Sequence, residues 1–282
     1  MFLSLFGFRE LWSPGMMIVC LFILSIYLLM TIKWRKDFKN STPLSISEAF
    51  SFILALLFLY AVKGAPIQIM TYLIYTAYTI QTVILFVLVP FLVVRGIPNY
   101  LLAYIRSTPF VSTLLCSPIY LSVVWSILFV CRQIPIVFDY LRLHETAESI
   151  YTILLFMCSF IFMWSMKGKR FNLVWKPLLL MYIMMTLVAS IVFFSPVDLY
   201  KTYTDGAMWM QAMALCVPAD TLNQLSAFSG PSLFTNMTPK QDQQLGSKLI
   251  QVIQTIIFGI ILIAMRWNQK SRTFSTSQHC DD

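Results

Sequence analysis

The fold is decided by apolar stretches such as residues 67–94, which read IQIMTYLIYTAYTIQTVILFVLVPFLVV and carry no charged side chain. A helix of about 20 mostly apolar residues crosses the hydrocarbon core of a bilayer, which is about 30 Å thick. This stretch is longer than one span requires. We therefore expect it to tilt, or to kink at Pro90, where the backbone has no amide to donate.

Six further stretches have the same character, and 59% of the 282 residues are hydrophobic whereas only 11% are charged. So few charges cannot cover the surface of a soluble protein of this size. The sequence predicts an all-α integral membrane bundle of about seven transmembrane helices and excludes a soluble domain. The seven predicted spans are residues 14–32, 46–62, 67–94, 110–131, 147–166, 177–194 and 249–265.

The net charge of +8 comes from basic residues grouped beside the predicted spans. Thirteen of the 20 Lys and Arg residues fall in the loops after the first, third and fifth spans and in the C-terminal tail. Cytoplasmic loops carry this excess. The N-terminus is therefore predicted outside and the C-terminus in the cytoplasm, and the grouping argues against a nucleic-acid partner.

The protein is predicted to be one polytopic membrane domain, residues 1–267, with a polar cytoplasmic tail, residues 268–282. Most connections are short. The exception is the extracytoplasmic segment 195–246, which is far longer than joining two helices requires and is expected to be functional. Residues 207–216 within it are predicted to form an amphipathic helix lying on the membrane.

Few polar residues are embedded in the spans. Gln81 lies in the third span beside Tyr78 and Thr82, and Gln251 and Gln254 lie in the seventh. Amides need partners in hydrocarbon, so these side chains should face the bundle interior. Ordinary hydrogen bonding between helices is the favoured interpretation, and a functional polar path is the alternative.

The predicted topology brings residues that are distant in the sequence to one outer face. A ring of acidic groups there could hold a cation or a basic loop of a partner. The alternative is solvated charge and helix capping, which is favoured for Glu145 and Glu148 at the start of the fifth span. The candidate surface comprises Lys63, Pro66, Asp139, Asp242, Gln243 and Gln244.

A second candidate is a set of sulfur side chains in the long outer segment, Met208, Met210, Met213 and Cys216. Thioether and thiol sulfur are the soft ligands that Cu(I) prefers. The alternative is that methionines simply fill apolar space. His144 is a further candidate ligand, but a single imidazole does not make a metal site.

Several short motifs occur, one after another, along most of the sequence. The last of them is Asp242-Gln243-Gln244-Leu245-Gly246. In this order the protein resembles the CtaG family of cytochrome c oxidase assembly proteins of Gram-positive bacteria, which serve the caa3-type oxidase. The other motifs are Phe6-Gly7-Phe8-Arg9, Leu11-Trp12-Ser13-Pro14, Lys63-Gly64-Ala65-Pro66, Val89-Pro90, Gly96-Ile97-Pro98, Ile134-Pro135, Val137-Phe138-Asp139, Leu215-Cys216-Val217-Pro218 and Asp220-Thr221-Leu222.

The resemblance implies a biogenesis role in the bacterial cell membrane, without catalysis, that helps copper reach the oxidase or helps its subunits mature. Oxidase subunits or other assembly factors would be the partners. Many family members carry Ala-His-x-x-Gln-His in the third span, whereas residues 77–82 read AYTIQT here. Two other classes stay open: a transporter with Tyr78, Gln81 and Gln254 along its path, and a seven-span receptor.

Overall fold

The computed structural model describes residues 12–38, 41–106, 117–214 and 237–278, with side chains given up to Trp267 in the last helix. This part of the protein is helical and contains no strand. The helices are α1 (Pro14–Leu28), α2 (Ile46–Lys63), α3 (Ile67–Leu73), α4 (Tyr75–Val83), α5 (Val89–Gly96), α6 (Asn99–Arg106), α7 (Pro118–Gln133), α8 (Pro135–Leu143), α9 (Glu145–Met166), α10 (Phe171–Phe194), α11 (Gly206–Ala214) and α12 (Pro239–Gln278).

Short irregular turns extend or join some of these helices. A π-helical turn, Leu29–Lys33, and a 3₁₀ turn, Trp34–Asp37, extend α1. A second π-helical turn, Ile84–Leu88, joins α4 to α5 without a break. The connection between α10 and α11 contains a 3₁₀ turn, Lys201–Tyr203.

Within the described residues, six helical stretches are long and apolar enough to cross a membrane, and α7 with α8 makes a seventh if this pair is one span. The pair is bent by 77°. The bend follows from Pro135, whose ring disfavours helical backbone at the residue before it. Ile134 is accordingly extended, with φ −63° and ψ 126°. Length and composition thus support the predicted number of spans, although residues 110–116 of the fourth lie outside the described ranges.

The span formed by α4 and α5 lies in the middle of the bundle. Within its apolar window 78% of the residues are buried, against 17% for the span that starts with α1. Buried side chains of α4 and α5 share one core cluster with side chains of α2, α7, α9, α10 and α12. Gly96 permits the tight contact with α2, because a Cβ there would lie 2.7 Å from the backbone nitrogen of Phe52.

The long third stretch is broken, but not where the sequence suggested. The helix stops at Ile74, which is extended with φ −137° and ψ 139°, and α4 starts at Tyr75. The reason is a side chain from a distant part of the sequence, since Asp242 on α12 accepts the backbone N–H of Tyr75 at 2.6 Å. Pro90 is instead accommodated within the helix, two residues after the π-helical turn.

The spans alternate in direction, so their termini gather at two ends of the bundle. At the end that we call the cap end, α2, α7 and α10 finish while α1, α4, α9 and α12 begin, as the contacts Asp242–Tyr75, Arg132–Glu148 and Tyr60–Trp12 require. The opposite end is called the basic end. There the Lys167 ammonium donates to the carbonyls of Val94 and Ile97, and the Tyr27 hydroxyl donates to Gly96 O.

The outer surface of the bundle carries large exposed apolar side chains. Ile46, Ile150 and Ile263 are between 68% and 89% exposed, and Phe22 and Leu173 are also exposed. On a soluble protein this surface would drive aggregation, whereas lipid solvates it without cost. The exposure therefore fits a bundle surrounded by a bilayer.

The last helix begins about ten residues before the predicted start of the seventh span. Thr238 precedes α12 and forms a reciprocal pair with Gln241, in which each backbone N–H donates to the other's side-chain oxygen. Such a pair satisfies the first free amides of a helix. The described connection from α10 to α12 therefore ends at Thr238 rather than residue 246, and at the other end helical backbone continues to Gln278, into the predicted tail.

The predicted amphipathic helix is present as α11, but it packs on protein. Trp209 and Met213 are fully buried in a cluster with Ile69, Tyr72 and Leu73 of α3. The prediction of a helix lying on the membrane is therefore wrong for these residues. Their apolar face is buried because α3 lies beneath it at the cap end.

Candidate functional site

A buried ionic cluster lies at the cap end, built from the ends of three helices. Glu148 in the first turn of α9 contacts Arg132 at the end of α7 at 3.4 Å and Arg142 at the end of α8 at 3.2 Å. The side chains of all three residues are at most 8% exposed. The bend at Ile134 and the break at His144 turn the backbone twice and bring these residues together.

Tyrosine hydroxyls and backbone carbonyls tie the cluster to the cap, which comprises α3, α11 and residues 195–205 between α10 and α11. The second carboxylate oxygen of Glu148 accepts the Tyr72 hydroxyl at 3.0 Å. Arg142 donates to Thr71 O at 3.0 Å and to the Tyr203 hydroxyl at 3.1 Å, and Tyr203 itself donates to Thr71 O at 2.6 Å. Arg142 thus connects α8 to α3 and to the connection between α10 and α11.

Aromatic rings surround both guanidinium groups. Arg142 lies 4.6 Å from the ring centre of Tyr72 and 4.8 Å from that of Tyr78. Arg132 lies 5.2 Å from the ring of Phe86 and 5.5 Å from that of Tyr78. The faces of such rings attract cations, most strongly where water is excluded. The rings therefore offset part of the cost of burying two positive charges.

Two further buried carboxylates cap backbone segments that come from elsewhere in the sequence. Asp139 accepts the N–H groups of Lys201 and Thr202, at 3.2 and 3.1 Å, and the Thr202 hydroxyl. Asp242 accepts the N–H groups of Tyr75 and Thr76, at 2.6 and 3.3 Å. A carboxylate at free N–H groups is stabilising because it satisfies donors that otherwise have no partner.

These contacts correct the predicted partner surface. Asp139, Asp242 and Gln243 lie at the cap end, but each is buried and bonded within the protein. Gln243 accepts the N–H of Leu199 at 3.2 Å. Gln244 is half-buried and donates to Phe193 O at 3.4 Å. Four of the six predicted surface residues thus hold the cap in place.

The other two members of that predicted set lie at the margin of the same end. Lys63 is the last residue of α2, is half-buried and lies close enough to Glu148 to interact with it electrostatically. Pro66 is half-buried and precedes the first turn of α3. Lys63 therefore lies beside the ionic cluster.

The distinctive Asp-Gln-Gln-Leu-Gly motif has an internal role at nearly every position. Beyond the bonds of its first three residues, Gly246 faces α4 at close range. A Cβ on Gly246 would lie 2.9 Å from the Tyr75 ring and 3.2 Å from the backbone of Thr76. The missing side chain lets α12 approach α4 closely enough for Asp242 to cap it.

The intramembrane polar side chains face the bundle interior, as predicted. Gln81 donates to Val62 O at 2.5 Å and to the Gln68 amide at 2.6 Å. The Tyr78 hydroxyl accepts from Gln133 at 3.2 Å, and Thr82 donates to Tyr78 O within its own helix. Gln254 donates to Thr186 on the neighbouring helix. These bonds fit the interpretation of hydrogen bonding between helices.

The sulfur side chains do not form a ligand set within the described residues. Met213 is sealed in the apolar cluster under α11 and Met210 packs at its edge, whereas Met208 lies about 200° around the helix from Met210. Cys216 is outside the described ranges. His144 is exposed, stacks on Tyr140 at 4.2 Å and bonds to its carbonyl.

The His, Cys and carboxylate side chains of the described residues offer no ready-made site for a metal ion. No group of three or more His, Cys, Asp or Glu side chains there is arranged to hold a metal. The buried carboxylates are already bonded to arginines or to backbone N–H groups. No step through a bound metal follows from these residues.

Sequence reasoning missed the ionic cluster. Counting charges places Arg132 and Arg142 only among the seven basic residues of the predicted outer side, and the position of Glu148 favours helix capping. One signal was available: the arginines lie on either side of Ile134-Pro135, and a proline there breaks the helix and can turn charged termini inward. Tyr72 and Tyr203 carried no comparable signal.

Comparison with known proteins identifies the family. The family model described as cytochrome c oxidase caa3 assembly factor matches residues 25–270 of the 282 residues. The protein therefore belongs to this family of oxidase assembly factors. No curated protein sequence and no solved structure matches it.

Proposed function

We propose that this protein acts at the extracytoplasmic face of a bacterial cell membrane, where its cap end holds a cytochrome c oxidase subunit during maturation. Membership of the oxidase assembly family carries the proposal. The charge distribution supports the orientation, because the exposed basic residues concentrate at the opposite end, which is then cytoplasmic. Partners would be oxidase subunits or other assembly factors.

The construction of the cap end supports a holding role without catalysis. The connection after α10 is fixed to the bundle by Asp139 through Thr202 and by Gln243 through Leu199. α11 is fixed through Trp209 and Met213. Such a rigid platform suits the presentation of a surface to another protein, since little ordering entropy is lost on binding.

Subunit maturation is favoured over copper delivery by the donor chemistry of the described residues. If copper is involved, it would be cargo passed to the oxidase and not a resident cofactor. Its candidate contacts are Met208, Met210, Met213 and Cys216. The buried position of Met213 makes it a poor exchange ligand, because cargo transfer requires access. The two mechanisms differ in their response to added copper.

A deletion strain tests the proposal. We expect its membranes to lose caa3 oxidase activity and the corresponding haem absorbance, and the wild-type gene to restore both. Excess copper should not restore activity if the protein acts in subunit maturation. Restoration by copper would support delivery instead. Unchanged oxidase with altered uptake of one solute would contradict the proposal in favour of a transporter.

Matched variants locate the working end. Asp139→Asn releases the connection after α10 and should reduce oxidase activity when expressed in the deletion strain. Asp198→Asn is the control, because Asp198 is an exposed carboxylate on the same connection. Equal activity in the two variants, with equal protein levels in the membrane, would exclude the anchored cap as the surface that matters.

A further inference from the structure

The ionic cluster contains more positive than negative charge. Arg132 and Arg142 both pair with Glu148. Among the described residues, no other carboxylate forms an ion pair with either arginine. Both oxygens of Glu148 are already engaged, one by the arginines and one by Tyr72. Asp139 is committed to backbone N–H groups. The two arginines and Glu148 therefore sum to one positive charge in a buried setting.

The two arginines also carry buried N–H donors that have no acceptor. Nη1 of Arg132 and Nε of Arg142 are buried and have no acceptor among the described protein atoms. Both arginines line a narrow gap together with Tyr78, Phe138, Leu141 and Glu148. A buried guanidinium N–H without an acceptor is costly, and guanidinium has no means of losing its charge. The two free donors thus require an acceptor in the gap.

We propose that this gap binds one carboxylate group of a ligand, with Arg132 Nη1 and Arg142 Nε donating to its oxygens. A single carboxylate neutralises the single excess charge, and its planar pair of oxygens suits guanidinium donors. A phosphate carries more negative charge than the one excess positive charge requires, so the singly charged carboxylate is favoured. The gap is closed to a molecule the size of water in this structure, so the proposal requires the two guanidinium groups to move apart when the ligand enters.

Recognition of a carboxylate is not part of the family role, and several kinds of ligand carry this group. An acidic side chain, the C-terminal carboxylate of a polypeptide and a small carboxylic acid all offer the same group. The site lies beneath Tyr203 of the cap, which bonds directly to Arg142. A ligand that binds here therefore changes the contacts that fix the cap.

Thermal unfolding of the purified full-length protein in detergent tests the proposal without reference to oxidase assembly. Sodium acetate replaces sodium chloride at constant pH and ionic strength. We expect a saturable rise in Tm of about 3–6 °C at a concentration ten times Kd. Sodium phosphate at the same ionic strength should produce no such rise. No rise with acetate, or an equal rise with phosphate, overturns the proposal.

Two variants in the cluster should change the response to acetate in opposite directions, and a third variant is the control. Arg132→Gln removes the excess charge and should abolish the acetate response, whereas Glu148→Gln raises the excess and should bind acetate at least tenfold more tightly. Arg266→Gln makes the same change at the exposed basic end and should respond as wild type does. An unchanged response in both cluster variants overturns the proposal. If one variant fails to fold, the other decides.

A peptide pair distinguishes the sources of the carboxylate. A short peptide with a free C-terminus should compete with acetate, and the same peptide with a C-terminal amide should not, if the cluster receives the terminus of another protein. Competition by neither, with acetate still binding, assigns the site to small acids. If acetate does not bind to the wild-type protein at all, the carboxylate site is excluded, whereas the proposed assembly function is unaffected.

Discussion

The two ends of the bundle both carry Lys and Arg, but they use these side chains differently. At the basic end Lys36, Arg95 and Arg170 are exposed, and residues of this kind are the ones from which orientation is predicted. At the cap end Arg132 and Arg142 are buried against a carboxylate and aromatic rings. An arginine beside a span therefore has one of two roles, and counting charges does not separate them.

The largest difference between the ends should appear at Glu148. Glu148→Gln leaves two buried guanidinium groups without a negative partner, and breaking a buried pair costs about 3–5 kcal/mol. Glu145→Gln is the control, since Glu145 is exposed in the same turn of α9. The readout is Tm in detergent without added carboxylates. Equal Tm values for the two variants would contradict a buried pair at Glu148.

Arginine substitutions compare the ends directly. Arg142→Gln removes the bonds to Thr71 and Tyr203 and one partner of Glu148, and we expect a loss of about 3 kcal/mol. Arg170→Gln at the basic end should cost less than about 0.5 kcal/mol, as exposed positions usually do. Urea unfolding of both proteins provides the measurement. A cost at Arg170 that matches the cost at Arg142 would remove the distinction between the ends.

A smaller effect is expected where a carboxylate caps a helix. Asp242→Asn weakens charge-assisted bonds to Tyr75 and Thr76, which are worth about 1.5–3 kcal/mol each when intact. Amide hydrogen exchange at the start of α4 should accelerate, while exchange at the basic end of α5 stays as in wild type. Asp198→Asn should leave both regions unchanged. Uniform acceleration throughout the span would show that Asp242 supports the whole bundle rather than this helix start.

Alkaline pH should loosen the cap end first. Burial raises the pKa of the Tyr203 phenol well above its usual range, and the nearby Arg142 offsets only part of this effect. The neutral form is favoured in the folded state, so this contribution is complete below about pH 10 and declines as pH rises above it. Tyr203→Phe should therefore show a shallower fall in Tm above about pH 10 than wild type.

The appropriate control for the pH series is an exposed tyrosine. Tyr120 is 65% exposed, and Tyr120→Phe should reproduce the wild-type curve. Tyr200 is also buried in the cap and its pKa is also raised by burial, so Tyr203→Phe removes part of the slope and not all of it. A slope identical to wild type would exclude Tyr203 as a contributor.

The smallest effect belongs to hydrogen bonds within the spans. Gln254→Leu removes the bond to Thr186, and such bonds in membrane bundles are worth about 0.6 kcal/mol. The Tm should change by no more than about 2 °C. Thr186→Val should behave in the same way, and the double variant should be no worse than either alone. A loss as large as that at Glu148 would place a second essential polar site at mid-span.

Much of the architecture could be predicted because it follows from local properties. Apolar length alone predicts the spans, and the inward direction of Gln81 and Gln254 follows from the cost of an unpaired amide in lipid. The break at Ile74 could not be predicted, since nothing near Ile74 distinguishes it from its neighbours. Its cause is Asp242, 167 residues away from Tyr75.

The site was harder to predict for a related reason. Whether Glu148 is solvated or buried depends on where two bends in the backbone place Arg132 and Arg142. The residues of the candidate surface gather at one end of the bundle, but Asp139 and Asp242 bond inward because backbone N–H groups lie beside them. Tertiary placement, rather than residue type, decides between these outcomes.

The hydrogen bonds from the start of α4 to Asp242 have a consequence for biosynthesis. The ribosome makes residues 67–94 long before Asp242, so the carboxylate that stops one helix and starts the next is absent while this segment enters the bilayer. We expect the nascent segment to insert as one continuous, overlong helix. It acquires its break only when the final span docks, so the central helix reaches its final form only once translation has passed the last span.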